Sequence, residues 1–186
     1  MTNSVADEAR GLPREPTAPW IRGLVVVVVA VWLTVVAWQV VVLPDRVPTH
    51  FDGSGQADGW SSRNGALAFS AIFPLLVVLP MPLLSRMALH WPHAINGPNR
   101  HWWTATPRRL IRFERLMRED LWVITVLTMA LLVAIQVGIT LTAVAGNESI
   151  STTFLFGGLG AYLVAMVVVM ARMYGGGRYA DQPDLG

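Results

Sequence analysis

Four long apolar runs without a charged side chain constrain this chain more than any other feature of its sequence. A helix rises about 1.5 Å per residue, so about 20 residues suffice to cross a hydrocarbon core of roughly 30 Å. A strand would leave backbone groups unpaired in lipid, so even the valine-rich first run is predicted to be helical. The runs are Gly23–Leu43, Gly65–Ser85, Leu121–Ala145 and Thr152–Ala171.

The composition supports the same fold class. With 53% hydrophobic and 14% charged residues, the chain has more apolar surface than a soluble core of 186 residues requires. The absence of cysteine excludes disulfides, thiolate catalysis, iron–sulfur clusters and Cys-type zinc sites. We therefore predict an all-α integral membrane protein with four transmembrane helices plus a short cytoplasmic amphipathic helix.

Prolines and polar stretches divide the chain further. The N-terminal stretch is polar and proline-containing, which predicts a mobile tail, and Pro74, Pro80 and Pro82 should kink the second run or end its regular part early. The predicted segments are a flexible N-terminal tail (1–21), a two-span module (22–89) with an outer loop (44–64), a connector (90–120), a two-span hairpin (121–174) and a flexible C-terminal tail (175–186).

The distribution of arginine predicts the orientation. If the N-terminus is cytoplasmic, 12 of the 14 arginines lie on the cytoplasmic side, and only Arg46 and Arg63 lie outside. Cytoplasmic segments of membrane proteins are enriched in basic residues. Both termini are therefore predicted to be cytoplasmic, with residues 44–64 outside. The use of arginine without lysine suggests a GC-rich bacterial genome rather than a special chemistry. We expect the protein in the bacterial cytoplasmic membrane.

The cytoplasmic connector ends in a predicted amphipathic helix. From Pro107 to Asp120, arginines and apolar side chains fall on opposite helical faces, and Pro107 suits the first turn. This basic surface can anchor the chain by the positive-inside rule, bind anionic lipid or bind a cytoplasmic protein. Nucleic acid is not a predicted partner, because acidic residues interleave with the arginines.

The outer loop offers the ligand types of a divalent cation in His50, Asp52 and Asp58. The leading interpretation is instead that the loop forms tight turns, since Asp-Gly pairs are what such turns need. We expect no metal, no cofactor and no catalytic residue, because no hydrolase motif is present and no span contains Asp, Glu, His or Arg.

Small residues recur every four positions in the fourth run, at Gly157, Ala161 and Ala165. This spacing predicts a smooth helix face against which another helix can pack.

The outer stretch Leu43–Arg63 resembles the signature of a membrane domain of unknown function, DUF1648. That signature reads LP-x-x-(I/V)-P-x-H-F, followed by a Gly-containing turn and a Trp. The loop residues assigned to this motif are Leu43, Pro44, Pro48, His50, Phe51, Asp52, Gly55, Asp58 and Trp60.

The connector stretch Ala94–Arg109 resembles a second sequence found beyond that domain in many small members, N-x-P-N-x-x-(Y)W-x-x-P-x-R-R. Trp102 stands where Tyr is more usual and Thr104 replaces a common Leu. The matching residues are Asn96, Pro98, Asn99, Trp103, Pro107, Arg108 and Arg109. We expect the asparagines to pair backbone groups in a non-helical turn and the arginines to bind phosphate or carboxylate groups.

The resemblance also implies a range of functions. DUF1648 occurs in SdpI-type immunity proteins, which protect a bacterium from a secreted peptide. We therefore expect a non-enzymatic immunity or envelope-sensing component whose partners are the lipid bilayer and an extracellular peptide or cytoplasmic regulator, as a homo- or hetero-oligomer. The alternatives are an accessory subunit of a larger membrane complex and a transporter subunit.

Overall fold

A computed structural model describes residues 2–175 and 177–185. Met1, Gly176 and Gly186, which belong to the two predicted tails, lie outside the described residues. The helices are α1 (Thr2–Gly11), α2 (Pro19–Val42), α3 (Arg63–Val78), α4 (Pro80–Leu84), α5 (Met87–His90), α6 (Arg100–Trp103), α7 (Pro107–Val144) and α8 (Thr152–Tyr174). The strands are β1 (Arg46–Phe51) and β2 (Ala57–Ser62).

The predicted fold class is confirmed. Within the described chain, four helical stretches are long and apolar enough to cross a membrane, namely Pro19–Val42, Arg63–His90, Pro107–Val144 and Thr152–Tyr174. The valine-rich first run is helical, as predicted. Val41 and Leu76 leave 79% and 68% of their surface uncovered by the chain, as suits side chains that contact lipid. The protein is a multi-pass membrane protein.

Two predictions about helix boundaries are also confirmed. Helix α3 ends at Val78, just before the prolines at 80 and 82, which lack the N–H that a continuing helix needs. Helix α7 begins at Pro107, whose missing N–H costs nothing at a first turn. The predicted amphipathic helix and the third span form one helix of 38 residues.

The chain divides into two compact units. The arginine-rich unit comprises residues 1–23, 79–125 and 166–186, and the hairpin unit comprises residues 24–78 and 126–165.

The arginine-rich unit has its own hydrophobic core. Trp103 and Leu110 are completely buried there, and Phe113 and Tyr179 pack beside them. The buried core residues are Ala6, Ala9, Ala88, Leu89, Ile95, Trp103, Leu110, Ile111, Phe113, Leu116 and Tyr179.

The prediction of two unstructured tails is wrong for much of their described length. Residues 2–11 form helix α1, whose Ala6 and Ala9 are buried, and Arg10 Nη1 donates a 3.0 Å hydrogen bond to Leu89 O. At the other end, Tyr179 is only 6% exposed. These polar segments gain order because their few apolar side chains reach a core that the connector supplies, which composition alone does not reveal.

The hairpin unit contains two buried clusters. One joins α2 to α3 and α7 through Trp32, Val35, Val78, Met129 and Val133. The other lies at the end of α2 that leads into the loop and comprises Leu43, Val47, Ala66 and Ala143.

Candidate functional site

The predicted outer loop is an ordered β-hairpin, a structure that was not predicted from the sequence. Strands β1 and β2 pair antiparallel, with Pro48 opposite Trp60 and register irregularities on both sides of His50. Val47 is completely buried and holds the hairpin on the helices through the cluster around Leu43. The hairpin therefore has a fixed position within its unit.

Asp52 organises the hairpin turn. Its Oδ1 accepts hydrogen bonds from Ser54 N (2.8 Å), Ser54 Oγ (2.7 Å) and Gln56 N (2.9 Å). These hydrogen bonds hold the pKa of Asp52 below its ordinary value, and the bond from the Ser54 hydroxyl contributes most to this shift. The side chain is thus ionised at neutral pH and serves as the acceptor of its own turn, in agreement with the leading sequence interpretation.

Gly55 joins the turn to the link between α7 and α8. Its φ of +85° suits glycine, and a Cβ built there would lie 2.5 Å from Ile150 O. Gly55 O accepts a hydrogen bond from Ile150 N (2.9 Å), and Ala57 N donates to Glu148 O (2.7 Å). Glycine is therefore required at position 55 both for the backbone conformation of the turn and for its close approach to the backbone of Ile150.

The three cation-ligand candidates do not gather into one site. His50 Nδ1 contacts Asp58 Oδ1, and both side chains are more than half exposed, whereas Asp52 is occupied in the turn. Among residues 2–175 and 177–185, no group of three His, Cys, Asp or Glu side chains could hold a metal ion. Trp60 instead receives the guanidinium of Arg46 over its ring at 4.5 Å.

A cavity of about 250 Å³ lies within the hairpin unit, between β1 and helices α2, α3 and α7. We call it the glutamine chamber, because Gln39 and Gln136 are the amide side chains on its wall. Its walls are otherwise mostly apolar, which is usual for a site that binds a small ligand. The lining residues are Gln39, Leu43, Val47, Thr49, Ala66, Phe69, Ser70, Phe73, Leu132, Ile135, Gln136 and Ile139.

The two glutamines are linked by hydrogen bonds. Gln39 Nε2 donates to Thr140 Oγ1 (2.9 Å), and Thr140 Oγ1 donates to the backbone oxygen of Gln136 (2.7 Å). Gln136 Nε2 donates to Ser70 O (3.1 Å), which also accepts from Trp32 Nε1 (3.0 Å). These bonds fix the orientation of both amide groups.

Both glutamine carbonyl oxygens are left without a partner. Gln39 and Gln136 are 2% and 7% exposed, and in the described part of the chain neither Oε1 accepts a hydrogen bond. A buried acceptor without a partner costs about 1–3 kcal/mol. The chamber lining thus contains two side chains whose carbonyl oxygens could each accept a hydrogen bond.

The family model for a domain of unknown function, DUF1648, matches residues 25–73, which cover most of α2, the hairpin and most of α3. The chain carries a DUF1648 domain. The predicted resemblance of Leu43–Arg63 to this domain is thereby confirmed. No curated protein and no solved structure matches the chain. The DUF1648 domain supplies Gln39 and Ser70 to the chamber, whereas Gln136 belongs to α7, outside the matched residues.

The two glutamines are uncharged, so the absence of Asp, Glu, His and Arg from the four runs does not point to them. Gln39 and Gln136 are the only carboxamide side chains in the four apolar runs. Polar side chains inside a span mark functional sites often enough that this pair could have been singled out from the sequence.

The connector motif beyond the DUF1648 domain lies in the arginine-rich unit. Trp103 Nε1 donates to Tyr179 O (3.0 Å), and Asn99 Nδ2 reaches the same oxygen at 3.4 Å. Asn99 has a φ of +54°, a conformation that asparagine tolerates better than most residues. This agrees with the expectation that asparagine pairs backbone groups in a non-helical turn.

The other motif residues divide into contacting and exposed groups. Arg109 Nε donates to Leu185 O (3.2 Å), and its guanidinium lies 4.2 Å from the Trp102 ring centroid. Arg108 is exposed, and Asn96 and Pro98 line a cavity of about 220 Å³ beside Tyr179. The predicted binding of phosphate or carboxylate by Arg108 and Arg109 stays a prediction.

Two carboxylates at the start of the third span connect α7 to the C-terminal segment. Arg178 donates to Asp120 Oδ2 (2.9 Å) and Glu119 Oε2 (3.0 Å), and Tyr179 Oη donates to Asp120 Oδ2 (2.7 Å). Burial, followed by the nearby charge of Asp120, raises the pKa of Tyr179 well above its ordinary value. Tyr179 therefore stays a neutral hydrogen-bond donor across the physiological range.

Two of the three residues in the predicted helix-packing stripe are left exposed by the rest of their unit. Gly157 and Ala161 are exposed, and Ala165 is half-buried. A Cβ added at Gly157 would meet no atom within 4 Å.

Proposed function

We propose that this protein is a non-enzymatic binding protein of the bacterial cytoplasmic membrane that receives an extracellular amphiphilic peptide in an immunity or envelope-sensing role. The observation that carries the proposal is the glutamine chamber, with two buried carbonyl oxygens that lack partners beside the hairpin of the DUF1648 domain. The asymmetry of the arginines supports an outward-facing hairpin, because residues 44–64 hold 2 of the 14.

The chemistry of the chamber indicates which ligands it selects. Each amide nitrogen donates one hydrogen bond, whereas the carbonyl oxygens of Gln39 and Gln136 accept none from the described residues. An ammonium group or another N–H donor satisfies them, whereas a carboxylate does not. The side chains of Phe69, Phe73 and Ile135 then accommodate an aliphatic portion. A cationic, partly apolar segment of a peptide combines both features.

The test uses purified protein in lipid nanodiscs, with hexylammonium and hexanoate as probes. We expect hexylammonium to raise the midpoint of thermal unfolding and hexanoate to leave it unchanged, because only a bound ligand stabilises the native state. The double variant Gln39→Leu and Gln136→Leu should lose the response. It should still fold, since the groups left behind are a backbone oxygen that Trp32 still contacts and a hydroxyl that still donates.

A matched control separates the chamber from general effects of polarity. Thr128→Val removes a polar side chain of α7 that contacts Tyr162 Oη at 3.2 Å and does not line the chamber. This variant should keep the response to hexylammonium. Equal stabilisation by hexanoate, or an unchanged response in the double variant, would rule out the chamber as the site. For the immunity role, a cell that expresses the double variant should lose any protection from a secreted peptide that the wild type gives.

A second candidate function is an accessory subunit of a larger membrane complex. The observation that favours it is the uncovered stripe at Gly157 and Ala161, which a partner helix could approach closely. Purification in mild detergent distinguishes the two functions. An accessory subunit brings a stoichiometric partner that Gly157→Leu releases, whereas a self-sufficient binding protein does not.

A further inference from the structure

A second cavity, of about 610 Å³, lies within the arginine-rich unit. Its lining includes the basic residues Arg14, Arg86 and Arg118, the acidic residue Glu15, and the apolar residues Leu79, Leu83 and Trp122. We call it the arginine cavity. The apolar residues belong to two candidate spans and lie close to the charged residues Arg86 and Asp120 in the sequence, where the uncharged runs end or begin. Such a boundary is typical of the level at which lipid headgroups meet acyl chains.

The acidic groups near this cavity are already paired. Glu15 Oε2 lies 2.6 Å from Arg112 Nε and 3.1 Å from Arg115 Nη1. Glu114 is completely buried between Arg14 and Arg118. The arginines around the cavity therefore outnumber the carboxylates, and the excess charge is positive.

Two of the arginines retain unused hydrogen-bonding capacity. Arg86 is exposed, and within the described chain its guanidinium has no hydrogen bond or ion pair. The Arg118 side chain is 10% exposed. Its Nη1 donates to Glu114 and its Nη2 donates to Glu15 O, whereas its Nε has no partner among the described residues. An anion in the cavity would accept a hydrogen bond from the unpaired N–H of Arg118 and would pair with the free charge of Arg86.

We propose that the arginine cavity binds one anionic phospholipid. Its phosphate is held by Arg86 and Arg14 over the charge of Arg118, and an acyl chain lies along Leu79, Leu83 and Trp122. The apolar lining favours a lipid over free phosphate, because a small anion gains no binding free energy from apolar side chains. The inference is independent of the glutamine chamber and of any peptide ligand.

The experiment measures lipid retention by native mass spectrometry after release from nanodiscs that contain equal amounts of phosphatidylglycerol and phosphatidylcholine. We expect one phosphatidylglycerol to be retained selectively by the wild type. Arg86→Gln should weaken that retention about tenfold, because one charge-assisted contact is worth roughly 1.4 kcal/mol or more. The variant should fold normally, since the Arg86 side chain makes no hydrogen bond or ion pair with any described residue.

The control is Arg22→Gln, which removes the same charge from an exposed arginine at the start of the first span that does not line the cavity. Retention should be unchanged in this variant. An equal loss in both variants would show that bulk charge rather than the cavity attracts the lipid. Stabilisation by inorganic phosphate that equals the effect of phosphatidylglycerol would identify the ligand as a free anion. Either outcome would overturn the proposal.

Discussion

Replacing Glu114 with alanine should lower the free energy of unfolding by about 3–5 kcal/mol, because it leaves buried positive charge without its counter-ion. The Glu114 side chain is completely inaccessible to solvent, and it contacts Arg14 and Arg118. It also accepts a hydrogen bond from Ser85 Oγ at 3.2 Å. Arg118, whose side chain is only 10% exposed, cannot recover this interaction from water. The loss should therefore exceed that of any exposed ion pair in the chain.

The measurement is denaturant unfolding in detergent micelles, followed by circular dichroism and compared with Glu8→Ala. Glu8 is exposed on α1 and forms no ion pair within residues 2–175 and 177–185, so its removal should change stability by no more than about 0.5 kcal/mol. If both substitutions had the same small effect, the buried ion-pair cluster would not be a determinant of stability.

Replacing Trp103 with alanine should cost about 3–5 kcal/mol, the range for large aromatic side chains in a core. Trp103 is completely buried, with its ring centroid 4.7 Å from Trp102 and 5.7 Å from Phe113. Its indole N–H also donates to Tyr179 O, which fixes the C-terminal segment. The variant should therefore both destabilise the unit and release that segment.

Release is measured by limited trypsin digestion, with mass spectrometry of the cut after Arg178. In the wild type this arginine is engaged by Asp120 and Glu119, and cleavage should be slow. In Trp103→Ala it should become fast. The matched control is Trp91→Ala, a tryptophan of the same connector that is 51% exposed. Equal cleavage rates in the two variants would contradict the assigned role of Trp103.

The spans could be predicted from the sequence because one physical cost dominates them. An unpaired backbone group in lipid is so unfavourable that an apolar run long enough to cross the membrane must form a helix. The start of α7 at Pro107 and the end of α3 before Pro80 followed equally directly from the chemistry of proline.

The hairpin and the ordered tails could not be predicted in the same way. Strand β1 contains a proline, and its register is irregular around His50. Its sequence therefore lacks the regular alternation of apolar and polar residues that predicts a strand. Helix α1 and Tyr179 are ordered by contacts to distant residues, as Arg10 with Leu89 and Tyr179 with Trp103 demonstrate. Such tertiary contacts override local composition.

The candidate site was predictable only in part. The motif residues Asp52 and Gly55 could be assigned to a turn because their chemistry is local. The glutamine chamber could not be assembled, because Gln39 and Gln136 are almost 100 residues apart in the sequence and only the fold makes both line one cavity. The arginine cavity likewise combines residues from three separate segments.

Single-cysteine labelling tests most directly the claim that the hairpin and the connector lie on opposite sides of a membrane. The natural chain has no cysteine, and a side chain at Gly53 or at Gly97 would meet no atom within 4 Å, so each position accepts a unique thiol. A membrane-impermeant maleimide should label Gly53→Cys in intact cells and should label Gly97→Cys only after the membrane is permeabilised. Labelling of both variants in intact cells, or of neither, would contradict the proposed topology.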